Sequence, residues 1–107
     1  MPRLQQGSVV WADLASPAGR RPVVVLTRDA AIGKLNALTV GPITRTIRNI
    51  PSEVLLTPAD GVPTSCAVAL DNILTVSRSL LDSGITTLPR PKMHQVFTAI
   101  RYVFDMP

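Results

Sequence analysis

Between Gly7 and Val76 the chain is a succession of short apolar runs, each closed by glycine or proline before it can lengthen. Strands tolerate such punctuation and helices of ordinary length do not. Ser8 to Leu14 alternates Val9, Trp11 and Asp13 with Val10, Ala12 and Leu14, and a turn over Ala15–Gly19 follows. Arg21 to Thr27 carries a continuous valine run, which predicts burial on both faces, and Pro22 suits a strand start. After a loop around Ala31–Lys34 come Leu35 to Val40, a break or bend at Gly41-Pro42, and a continuation from Ile43 to Ile47. Pro51 opens a strand over Ser52 to Thr57, and Pro58–Gly61 reads as a turn. Cys66 to Leu70 is a further strand, extended past a bend by Asp71 to Val76.

The C-terminal segment has a different period. Met93, Val96, Phe97, Ile100, Val103 and Phe104 form one apolar stripe at helical spacing, which predicts a helix from about Arg90 to Phe104. Pro89 and Pro91 stand at its start, where a missing N–H costs little. The expectation is a mainly β fold with a C-terminal helix: a small, strongly bent barrel over about residues 7–88, with the helix packed on it. A chain of 107 residues supports one core and hence one domain, 1–107.

Composition narrows the chemistry. One His and one Cys exclude a paired-histidine acid–base site, a cysteine zinc site and an intrachain disulfide. The acids, six Asp and one Glu, are scattered. Positive charge is plentiful: eleven Lys and Arg, nine of them Arg, give a net +4 and a pI near 10.2. Arginine's rigid fork matches phosphate, so the balance points to an anionic partner, most simply nucleic acid. GC-rich coding produces the same bias. Neither the Met1–Gly7 segment nor the short Val23–Leu26 run can serve as a signal core or membrane span, so the expected location is the cytoplasm, with no membrane partner.

Two constellations stand out. Arg20 and Arg21 precede the valine strand and project at the barrel rim, as phosphate ligands or as plain solvated cations. Further on, Ile43-Thr44-Arg45-Thr46-Ile47-Arg48 places Thr44, Thr46 and Arg48 on one strand face if no bulge intervenes. Two hydroxyls and a guanidinium in a row suit phosphate oxygens and 2′-OH groups; a half-exposed edge strand has the same composition. Trp11 reads as a core or interface residue rather than a stacking platform, Cys66 as a small hydrophobe, and His94 as partly exposed. Arg78, Arg90, Lys92 and Arg101 read as solvated.

The order GSVVWADL, a short loop, RRPVVVLTRD, a Gly-Pro step, ITRTIRNIPSEVLL, a turn with Asp60-Gly61, SCAVALDNILTV and a terminal helix resembles the MazF/PemK family of toxin endoribonucleases from Gly7 to Phe104. The resemblance implies an SH3-like barrel of the CcdB/Kid/MazF type, a homodimer, and metal-independent, cofactor-free, sequence-specific cleavage of single-stranded RNA. It also implies a cognate antitoxin whose acidic, flexible tail fills the RNA groove. The family's catalytic Arg and Thr match Arg21 and Thr44. Its RNA-contacting surface brings in Asp71 and Asn72 as base readers, together with Ser52 and Thr27, beside a groove of Arg20, Arg45, Thr46 and Arg48. The chain departs from the pattern in its first loop, Ala15 to Arg20, which is short and lacks the family's carboxylate. Two alternatives stand beside this one. A gyrase-binding toxin of the CcdB branch would end its helix near a Trp, which this chain lacks; a non-catalytic RNA-binding barrel would fit the missing carboxylate.

Overall fold

Gly41 and Pro42 do not end a strand; they lie inside one. The computed structural model describes residues 3–107. Among these residues are seven strands: β1 Ser8–Asp13, β2 Arg20–Val25, β3 Ala37–Thr44, β4 Glu53–Leu56, β5 Cys66–Ala69, β6 Leu74–Ser77 and β7 Leu81–Thr87. Two helices join them, the short α1 Asp29–Ile32 and the C-terminal α2 Arg90–Val103. Helix α1 stands where the sequence predicts a loop.

Every pairing is antiparallel, in the order β4–β5–β3–β2–β1–β7. β3 is the shared strand. Its first half, Ala37–Val40, pairs with β6, and its second half pairs with β5 through Ile43↔Val68 and Thr44↔Ala67. Between the halves, Val40–Pro42 pair with β2. A Cβ on Gly41 would stand 3.1 Å from both Val68 Cγ1 and Leu70 Cδ2. The missing side chain is what lets β5 close against the bend. The extension read over Asp71 to Val76 is a separate strand: a single 3-10 turn, Leu70–Asn72, redirects the chain from one half of β3 to the other. No pairing joins β4 to β7 among the described residues, so the barrel is open.

The sheet buries both faces. Val9, Val24, Ile43, Val68 and Leu70 form one core with Met93, Val96 and Ala99 of α2. Val10, Val23, Val25, Leu38 and Val40 form a second core with Ile32 and Leu81. Val23, Val24 and Val25 are all fully buried, as the continuous valine run predicts. Along α2 the stripe packs as far as Val103, but Phe104 lies just past the helix end and is 59% exposed.

One strand has no signature in the sequence. β7 lies along β1, with register shifts on either side of Val10. Those irregularities destroy the alternation, and only Leu81 of its seven residues is buried. Two cations read as solvated are engaged. Lys92 lies 3.5 Å from Asp60 and donates to the Leu55 carbonyl at 3.1 Å, and Arg78 Nε donates to the Leu35 carbonyl at 3.4 Å. Arg90, Arg101 and His94 are exposed.

Adjacent leucines on β4 test the assignment of faces. Leu56 is fully buried and Leu55 is 43% exposed. Leu56→Ala is expected to cost about 2–5 kcal/mol in urea unfolding, and Leu55→Ala ~0.5 kcal/mol or less. Equal losses would contradict the faces described.

Candidate active site

The ends of β1, β2 and β3 meet on one side of the molecule around a cleft of about 560 Å³. Antiparallel register brings them together: Trp11 faces Pro22, Ala12 faces Arg21, and Asp13 faces Arg20. Trp11, Arg20, Arg21 and Pro22 line one part of the cleft, and Thr44, Arg45 and Thr46 another. The remaining wall comes from Val62, Pro63, Thr64, Cys66 and Ile85. The turn Pro58–Asp60 sets that wall in place, with Asp60 Oδ2 accepting from the Thr57 backbone N–H at 2.9 Å. Gly61 follows at φ 96, a left-handed conformation, and a Cβ there would collide with the Thr86 side chain.

The two neighbouring arginines differ. Arg20 Nη1 donates to Asp82 Oδ2 at 2.8 Å and reaches Asp13 Oδ1 at 3.4 Å, while its guanidinium lies over the Trp11 ring, 5.2 Å from the centroid. Arg21 has no ion pair with any described residue, and its Nε is buried without a hydrogen-bond partner. Arg21 lines the cleft with a guanidinium charge that no described carboxylate matches.

Thr44 ends β3. Its Oγ1 accepts the Thr46 backbone N–H at 3.1 Å, a local turn that stops the strand. The shared face expected for Thr44, Thr46 and Arg48 is therefore absent: Thr44 and Thr46 come together through this turn. Arg48 stands outside the cleft, with its backbone N–H donating to Glu53 Oε1 at 2.9 Å. With its oxygen accepting from Thr46, the Thr44 hydroxyl keeps its own proton to donate.

The other residues named from sequence are dispersed. Thr27 is buried at the end of the valine strand, where Oγ1 accepts the Thr39 backbone N–H at 2.8 Å. Ser52 is buried and its carbonyl accepts from the Leu70 N–H at 3.0 Å. Asp71 and Asn72 are exposed on the 3-10 turn after β5, and neither lines the cleft. Trp11, read as a core or interface residue, is a half-buried wall of the cleft beneath Arg20. Asp82, Ile85 and the Val62–Cys66 wall carry no local signal of a site in the sequence, because their place depends on β7 and on long-range packing. Cys66 is buried, and burial pushes its thiol pKa up, with the negative charge of Asp60 adding to the effect. It is therefore a packed thiol and not a nucleophile. Among the described residues no three His, Cys, Asp or Glu side chains gather as a metal site needs, and no helix is long and apolar enough to cross a membrane.

The Arg20 hydrogen bond, aided by one from Ser83 Oγ at 3.2 Å, holds the Asp82 carboxyl below its ordinary value of 3.8. A carboxyl lowered on folding stabilises the fold above its unfolded value, and the contribution is lost as pH falls through the folded value. By NMR titration Asp82 is expected to protonate below pH 3.8, and to move up toward the ordinary carboxylate range in Arg20→Ala. An unchanged midpoint in the variant would remove Arg20 as the cause.

Residues 5–104 match the family of PemK-like, MazF-like toxins of type II toxin–antitoxin systems. Among curated proteins, the probable endoribonuclease MazF5 of Mycobacterium tuberculosis is 43% identical over 101 residues, covering 94% of this chain and 92% of the relative. The probable endoribonuclease MazF2 of the same species is 40% identical over 99 residues, covering 92% and 95%. Among solved structures, the Mycobacterium tuberculosis toxin MazF-mt6 superposes with a TM-score of 0.86 at 30% identity, covering 94% of this chain and 98% of that one. MazF in a MazE–MazF structure from Deinococcus radiodurans gives 0.81 at 25% identity, with both chains fully covered. With this fold, and with the family matched over nearly its whole length, the chain belongs to the PemK-like, MazF-like toxins of type II toxin–antitoxin systems.

Proposed function

We propose that this toxin is an endoribonuclease that cuts single-stranded RNA at the cleft between Arg21 and Thr44, with the whole chain acting as one domain in the cytoplasm. The observation that carries the reading is that Arg21, with no ion pair among the described residues, lines the same cleft as Thr44, whose hydroxyl oxygen already accepts a hydrogen bond and so has its proton left to donate. The two donors suit one phosphate group. Arg45 and Thr46 extend that donor set at the cleft edge, and both are exposed.

The reaction is transesterification. The ribose 2′-oxygen attacks the adjacent phosphorus, the bond to the 5′-oxygen breaks, and the products carry a 2′,3′-cyclic phosphate and a 5′-hydroxyl. The nucleophile's proton leaves to solvent and the departing oxygen gains one. Nucleophile and leaving group both belong to the RNA, so the protein has only to align the phosphate and stabilise its growing charge. Arg21 supplies the positive charge that does so, because a guanidinium remains protonated and does not act as a base. Thr44 donates to a non-bridging oxygen.

Arg48, Ser52, Thr27, Asp71 and Asn72 do not line the cleft. In this reading Arg48, Asp71 and Asn72, all exposed, meet RNA that runs beyond it, while the buried Ser52 and Thr27 hold the backbone of the strands that carry the site. A homodimer would lengthen the groove with a second set of the same residues. An antitoxin segment with an acidic tail suits the same basic cleft, where its carboxylates would take the place of phosphates.

Incubation with mixed-sequence RNA in EDTA, followed by end mapping, tests the reading. Cyclic-phosphate ends are expected, with the rate falling about 10²- to 10³-fold in Arg21→Ala and in Thr44→Ala. RNA binding without cleavage by the unmodified protein would reject it in favour of a non-catalytic RNA-binding barrel. Affinity for RNA should fall with salt at a log–log slope of about −0.7 per phosphate held. A salt-independent affinity would reject the basic groove.

A further inference from the structure

Arg20 and Arg21 share one cleft, and the sequence offers both as phosphate ligands. Their surroundings separate them. Arg20 carries one positive charge, and two carboxylates, Asp82 at 2.8 Å and Asp13 at 3.4 Å, bring the trio to a net negative charge. A phosphate approaching Arg20 therefore meets repulsion from both aspartates, whereas Arg21 has no carboxylate partner among the described residues. A neutral ligand escapes this penalty.

The donor arrangement names that ligand. Both carboxylate contacts use Nη1, and among the described residues Nε and Nη2 have no protein partner, in a side chain that is 44% exposed and lines the cleft. These two nitrogens present parallel N–H donors along one edge of the guanidinium. Guanine offers two adjacent acceptors, O6 and N7, which match the pair. On the corresponding edges adenine places a donor beside N7, cytosine presents an amino donor and uracil a single oxygen, each leaving a donor unmatched or opposed. The competing acceptor pair is O2 and N3 on the Watson–Crick edge of cytosine, which 7-deazaguanine substitution separates from guanine N7. In single-stranded RNA that edge is open to protein. The two aspartates and the Trp11 ring hold the guanidinium in place from one side and from below, so that little side-chain freedom remains to be lost on binding.

We propose that Arg20, held by Asp13 and Asp82 over Trp11, reads a guanine next to the cut through its O6/N7 edge, and that Arg21 alone of the two grips phosphate. This rests on the endoribonuclease reading above and adds a base-recognition subsite to it.

Cleavage-site mapping on a mixed-sequence RNA tests the assignment. The unmodified protein is expected to favour guanine at one position beside the cut. Arg20→Ala should flatten that preference by roughly ten- to a hundredfold, with the salt slope kept and cuts redistributed to other sequences. Replacing that guanine by 7-deazaguanine, which lacks the N7 acceptor, should weaken cutting by the unmodified protein and make no difference to Arg20→Ala. Asp82→Asn keeps the arginine and removes one carboxylate. It should lower the guanine preference and steepen the salt slope by about 0.7, as Arg20 turns to phosphate. A uniform loss of cutting in Arg20→Ala with a shallower salt slope, or an unchanged base profile, would overturn the proposal while leaving the nuclease reading intact. If the protein binds RNA without cutting it, the nuclease reading falls and the subsite is decided by binding. Emission from Trp11, the chain's one tryptophan, then reports titration with 2′-O-methyl RNAs that contain or lack guanine. Equal affinities would reject the subsite. Absence of any RNA binding would reject both readings.

Discussion

The close approach of Val68 and Leu70 to Gly41 on β3 is the contact on which the rest of the structure depends. One strand pairs with β6 before the bend and with β5 after it, while β2 runs along its other edge. Val68 and Leu70 close to within 3.1 Å of where a side-chain carbon would stand, so a larger residue there would force β5 away from the sheet. The second half of β3 ends in Thr44, and β5 begins with Cys66 in the cleft wall. Packing around a missing methyl group thus sets the distance between the two sides of the site.

The site shows how two identical neighbours acquire different chemistry. Arg20 and Arg21 are one residue apart in the sequence and carry the same charge. Arg20 meets carboxylates from β1 and β7 and an aromatic face, and Arg21 meets none of them among the described residues. The difference comes from a cross-strand register, Asp13 opposite Arg20, and from the irregular pairing of β7 that brings Asp82 alongside. Charge neutralisation suits one arginine to a neutral ligand edge, and a charge that no described carboxylate matches suits the other to a charged one.

Local signals in the chain were legible where the physics is local. The valine run declared burial on both faces, and Val24 points into the core that faces α2 while Val23 and Val25 point into the other. The helical stripe was readable to Val103 because its period repeats without interruption. β7 was not readable, because its own extra residues opposite β1, at Ile85 and between Leu81 and Gly84, interrupt the alternation that marks a strand. The strand expected through Ile47 stopped at Thr44, where a threonine oxygen outcompetes the ladder for the next free N–H. Thr27 illustrates the converse: a hydroxyl that looked available for RNA is committed to the Thr39 backbone N–H.

The sequence by itself determined the class of fold, the scarcity of acid–base and metal-binding groups, and the presence of Arg21 and Thr44 at strand ends, because propensity, periodicity and residue counts are properties of short segments. Only the tertiary structure decided which arginine is neutralised, which donor is left without a partner, and that Trp11 and Cys66 belong to the cleft. Those outcomes depend on pairings between residues as far apart as Arg20 and Asp82, 62 positions along the chain, and no local pattern encodes such a distance.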